Sequence, residues 1–191
     1  MVLAYHLILS CYGFWLPNDP RGSWSTRVTS YELAAFGDAT KTTTRRSLAG
    51  RHHDQFLRQE AKSALRHPPV RLSGEQARCV ARAFAEAARE GEYRIHAMAV
   101  MPDHAHLVIA RHAKPIEAIA RHLKAHATRR LSRENLRPKP RSPWADKHWS
   151  VFLNTHEHVH SAIRYVEQNP VRAGLRPQQW KCLQPYTPKT V

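Results

Sequence analysis

Between Ser73 and Pro170 the apolar residues change their spacing from one segment to the next, and this change of period confines the chain to few folds. Ala77, Val80, Ala81, Phe84 and Ala88 recur at helical intervals behind a Ser73/Gln76 capping-box pattern, and Gly91 ends the run. Residues 93–101 read as a strand, Met101, Pro102 and Asp103 as a tight turn, and residues 104–109 as the hairpin partner. Pro115 opens a second helix at its first position, with an apolar stripe of Ile116, Ile119, Ala120, Leu123 and Ala127. Residues 150–153 form a short strand. Asn154, with Glu157 three residues later, caps a third helix, whose buried stripe is Val159, Ala162, Ile163 and Val166 and which Pro170 stops. The β-branched and aromatic run at residues 2–11 supplies a first strand. The order β-α-β-β-α-β-α is that of an α+β, ferredoxin-like (RRM-like) split βαββαβ antiparallel sheet with an additional C-terminal helix.

The chain of 191 residues suits one domain. Residues 1–175 are read as that domain, interrupted by a polar, basic surface insertion at about 26–70 in which a short helix at 54–65 fits. Residues 176–191 are read as a basic tail. Lys and Arg number 30 against 15 Asp and Glu, a formal charge of +15. Solubility needs far less, so a polyanionic partner is expected. No apolar run is long enough to span a bilayer, and the first residues lack the basic region and cleavage site of a signal peptide. The expectation is a cytoplasmic, nucleoid-associated protein with no membrane partner. Cys11, Cys79 and Cys182 are odd in number and far apart, which excludes a disulfide framework and a thiolate zinc site.

Two segments carry candidate chemistry. His104 and His106 are two residues apart on a strand, so both imidazoles project from one face and could share a divalent cation; as an isolated pattern in a histidine-rich chain they are more often a pair of solvated side chains. Tyr165 lies opposite the apolar stripe of the third helix, with Asn169 one turn later and Gln168 as a competitor for the same role. The basic face of the second helix carries Arg121, Lys124, Arg129 and Arg130, and residues 111–141 hold ten Lys or Arg against two acids. These, with Arg172, are candidate phosphate contacts. Trp15, Trp24, Trp144 and Trp149 lie in or beside loops and could stack unpaired bases. The segment His156-Glu157-His158-Val159-His160 matches the short H-E-x-x-H zinc-protease pattern, but no Asp, Glu or His follows Glu167 to complete the site.

Met101-Pro102-Asp103-His104-Ala105-His106-Leu107-Val108-Ile109 resembles the signature strand of the HUH single-strand nucleases, and the segment around Tyr165-x-x-x-Asn169-Pro170-Val171 resembles the tyrosine helix of their single-tyrosine transposases. The Asn-Pro-Val form and the early loop beginning Phe14-Trp15-Leu16-Pro17 resemble the REP-associated tyrosine transposase branch. The resemblance implies that His104, His106 and Asn169 bind Mg2+ or Mn2+ and that Tyr165 attacks a phosphate, giving a 5′-phosphotyrosine and a free 3′-hydroxyl. The implied partner is hairpin-forming single-stranded DNA, handled by a monomer or a homodimer. A domesticated protein that binds hairpins without cutting them is the alternative.

Overall fold

The computed structural model describes residues 1–44, 48, 50–138 and 142–188. The basic residues Arg45, Arg46, Lys139, Arg141 and Lys189, counted in the charge above, lie outside the described residues. Four strands, β1 (Ala4–Ser10), β2 (Ile95–Val100), β3 (His104–Ala110) and β4 (Trp149–Leu153), form one sheet in the order β2-β3-β1-β4. Every neighbouring pair is antiparallel. Together with α3 (Gly74–Gly91), α4 (Ile116–Arg133) and α5 (His156–Arg172), this is the expected ferredoxin-like order with its extra helix.

The pleat divides the sheet into two faces. Leu7, Leu9, Ala105, Leu107 and Ile109 point to one face and share the main core with Phe84 and Val80 of α3 and with Ile119, Leu123 and Leu131 of α4. Ala4, Ala97, Ala99 and Val108 point to the other face and meet Val159, Ala162 and Val166 of α5. Both faces of β2 and β3 are therefore covered, and β2 is buried along its whole length.

Helix boundaries follow local chemistry that the sequence reading placed slightly differently. The capping box at Ser73 and Gln76 forms as expected. Gly91 ends α3 as expected, being its last residue, and Glu92 takes the left-handed turn at φ 57°. Glycine is needed there because a Cβ would lie 2.3 Å from the ring of Tyr93. Pro115 precedes α4 as its N-cap, with extended backbone, instead of occupying the first helical position. Thr155, not Asn154, caps α5, its hydroxyl accepting from the amide of His158 at 3.1 Å. Pro170 also fails to stop α5, which continues to Arg172. Losing one amide donor is tolerated in the final turn. The stop comes from Gly174 at φ 72°, where Leu175 donates to the carbonyl of Pro170 and Gly174 to that of Val171. That pair of bonds is a Schellman motif.

The stretch at 26–70 is more than a surface insertion. It contains α1 (Tyr31–Ala34) and α2 (Gln55–Ser63), and Leu33 and Ala61 close a small second core on Leu16. Beside it, the buried carboxylate of Asp19 receives both the Nε and an Nη of Arg21 at 2.8 Å, with Arg58 3.4 Å away. The C-terminal segment lies along the β2 edge. The side-chain amide of Gln178 accepts from the Val100 amide at 2.9 Å and donates to the Val100 carbonyl at 2.8 Å. Trp180 donates to the carbonyl of Met98, and the Gln184 amide to that of Ile95.

Gly91→Ala is expected to destabilise the protein by about 1–2 kcal/mol despite alanine's better helix propensity, because the Tyr93 ring is boxed in. Urea denaturation checks this, and the same substitution in a Tyr93→Leu background should cost less.

Candidate active site

His104 and His106 leave β3 on the face that α5 covers, and their Nε2 atoms stand 2.9 Å apart. Each ring is held from behind at its other nitrogen. His104 Nδ1 lies 2.7 Å from Asp103 Oδ1. Burial pushes the Asp103 carboxyl up, but the hydrogen bond from His104 and the charges of Arg71 and Lys62 outweigh this and leave it below its ordinary range. An ionised Asp103 can only accept, so Nδ1 of His104 carries the proton and its Nε2 offers a lone pair. Phe14, from the early loop, stacks on His104 with ring centroids 4.7 Å apart.

His106 Nδ1 faces Nε2 of His6 at 3.0 Å. The sequence reading did not single out His6. Its signal lay in the alternation of β1, where His6 falls on the face opposite Leu7 and Leu9. Only the pairing of β1 with β3, with His6 beside Val108 and Ile8 beside His106, reveals its partner. Burial lowers the pKa of His6 to about 4. Burial first, then the charges of His104 and His106's other neighbour His6, hold His106 well below the usual imidazole range. The result is a pair of imidazoles with two nitrogens aimed at one point, each ring backed by a hydrogen-bond partner. That donor set fits a divalent cation.

Tyr165 of α5 stands beside His106. Its ring is 5.5 Å from that of His106 and 5.8 Å from that of His6, both edge-on. Because α5 stays helical through Pro170, Asn169 lies one turn beyond Tyr165 on the same side. Asn169 is half-buried, and among the described residues its side chain has no hydrogen-bond partner. Gln168 is exposed and spends its Oε1 on Arg172 at 2.7 Å. The Arg172 guanidinium lies 6.0 Å from the centre of the Tyr165 ring. Tyr165, His104 and His106 thus come together with Arg172 beside the phenol, while Asn169 stands one turn further along α5.

The basic face of α4 does not. Helix α4 packs on the opposite face of the sheet. Arg121 and Arg129 are exposed there. Lys124 is already engaged, donating to the carbonyls of Ala145, Asp146 and Lys147 at 2.7–3.1 Å. Arg130 pairs with Glu86 and, at 2.8 Å, with Glu134. Of the tryptophans, Trp144 is core beside Phe84, and Trp15 stacks under the Arg21 guanidinium at 3.8 Å. Trp24 and Trp149 pack together, ring centroids 4.1 Å apart, with Trp24 46% exposed. His156 lies 2.5 Å from the Tyr186 hydroxyl. Among the described residues no third His, Cys, Asp or Glu joins His156 and His160, so the zinc-protease pattern is an accident of a histidine-rich first turn.

A strand carrying two converging imidazoles, faced by a tyrosine on a following helix, defines a class of DNA-processing transposases. Residues 68–169, more than half of the chain, match the family model described as "Transposase IS200 like". The chain belongs to the IS200-like transposase family. Among solved structures it is similar to a REP-associated tyrosine transposase bound to a REP hairpin, at 13% identity and a TM-score of 0.49, covering 90% of this chain and 68% of the other. It is also similar to a candidate transposase of Deinococcus radiodurans R1, at 16% identity and a TM-score of 0.42, covering 88% and 91%. No curated protein matches the sequence. Among the described residues no helix is long and apolar enough to cross a membrane.

His6→Ala should remove the support behind His106 and weaken Mn2+ binding by about tenfold to a hundredfold in calorimetric titration, while His160→Ala leaves it unchanged.

Proposed function

We propose that the protein is a metal-dependent single-stranded DNA endonuclease and strand transferase of the REP-associated kind, acting on hairpin-forming DNA through a 5′-phosphotyrosine at Tyr165. The observation that carries this reading is the Tyr165 ring, 5.5 Å from that of His106, whose Nε2 is paired with that of His104. The charge of +15 and the resemblance of the Tyr-x-x-x-Asn-Pro-Val segment support the substrate and the branch.

In this reading His104, His106 and Asn169 hold Mg2+ or Mn2+, as transposases of this family generally use a divalent metal. When bound, the ion supplies Lewis-acid polarisation of the scissile phosphate. The Tyr165 Oη attacks phosphorus. The Oη–P bond forms, the P–O3′ bond breaks, the phenolic proton leaves to solvent, and the departing oxygen is protonated to a 3′-hydroxyl. Attack by another 3′-hydroxyl reverses these bonds, joins strands and frees Tyr165. The covalent link conserves the energy of the phosphodiester, so the chain needs no nucleotide-binding loop. Asp103 and His6 hold the two imidazoles in orientation. Arg172 places positive charge beside the phenol and the incoming phosphate. Arg121 and Arg129 meet phosphates farther along the DNA, on the other side of the sheet. Lys124 and Arg130, engaged within the protein, contribute to fold more than to contact. Residues 1–175 form the working domain, in a cytoplasmic, nucleoid-associated protein.

Wild-type protein, mixed with labelled single-stranded hairpin oligonucleotides and Mn2+, should give a covalent adduct on a denaturing protein gel. Tyr165→Phe should abolish it, and His106→Ala should reduce it by at least about a hundredfold. A shifted native band with no adduct, indifferent to Tyr165→Phe, would instead identify a hairpin-binding protein without nuclease chemistry.

A further inference from the structure

We propose a second metal site, for a Zn2+-like transition-metal ion, formed by Glu90 of α3 with His122 and His126 of α4 on the sheet face opposite Tyr165. The candidate ligand atoms of these three residues all lie within 4.8 Å of one another. His122 and His126 are one helical turn apart, the spacing at which two imidazoles on a helix can chelate one ion. Their ring centroids are 4.4 Å apart. Glu90 Oε2 already lies 3.1 Å from His126 Nε2. Two imidazoles and one carboxylate suit Zn2+ better than Mg2+, and three protein ligands leave a further position for water.

An ion pair between Glu90 and His126 alone would leave the setting of His122 without purpose. Its Nδ1 is 3.1 Å from the hydroxyl of Tyr93, a buried residue. Tyr93 in turn sits where it does because Gly91 yields the space a Cβ would fill. The last turn of α3 therefore supplies a ligand, and Tyr93 just beyond its cap supplies a ring-orienting hydroxyl, as hydrogen-bond partners do around histidine ligands. Lys114 and Arg129 stand close enough to oppose a cation, and Glu90 offsets them. An ion here would clip α3 to α4 and would be independent of the nuclease reading.

The test separates the two sites in the full chain. A His104→Ala/His106→Ala variant is titrated with Zn2+ by calorimetry and with Co2+ by visible absorption. It should still bind a single equivalent and should unfold at a higher temperature with Zn2+ present. Adding His122→Ala and His126→Ala should abolish binding. Glu90→Gln and Tyr93→Phe, which preserve shape, should each weaken binding about tenfold. Absence of binding in the first variant, or binding that survives loss of His122 and His126, would overturn the proposal. Failure of the Tyr165 adduct would leave this result unaffected.

Discussion

The pleat of β3 is the constraint on which the rest depends. Alternate residues of a strand must go to opposite faces. In β3 one set, Ala105, Leu107 and Ile109, is sealed beneath α3 and α4, which pins the register; a slip by one residue would bury the imidazoles in that core instead. With the register pinned, His104 and His106 have nowhere to point except toward α5. The pairing with β1 then brings His6 against His106, and the turn before β3 brings Asp103 against His104. A hydrophobic pattern thus orients a polar site that it does not touch.

The second dependence is on α5. Its apolar stripe of Val159, Ala162 and Val166 fits the small residues Ala97 and Ala99 of β2 and Val108 of β3. That fit sets the rotation of the helix, and the rotation sets where Tyr165 stands. Had Pro170 ended the helix, Asn169 would have lost its fixed relation to Tyr165; the Schellman turn at Gly174 postpones the end until Asn169 is safely inside.

The elements that were legible in the sequence are those with a strong period: β1, the β2–β3 hairpin, and the stripes of α3, α4 and α5. Strand and helix spacings put His104 with His106 on one face and Tyr165 with Asn169 on another, but joining the two pairs into one candidate site rested on the resemblance of their segments to a known family. His6 was not legible, because its partner is a hundred positions away and nothing local marks it. The fate of Lys124 and Arg130 was equally hidden. Both sit on a basic helix face, yet their partners are loop carbonyls in one case and Glu86 and Glu134 in the other. The packing of 26–70 was missed because Leu33 and Ala61 close on Leu16 from separate short segments, leaving no period to read.

The amide of Gln178 treats the main chain of Val100 as a neighbouring strand would, offering one acceptor and one donor to the open side of β2. With Trp180 and Gln184 it occupies an edge whose unpaired groups would otherwise be a template for another chain. Proteolytic nicking or truncation ahead of Gln178 would thus bare the edge of β2 to its own copies and, by removing Tyr186, also strip a ring from beside His156 and His160 of α5, so that loss of the tail would be read first as aggregation.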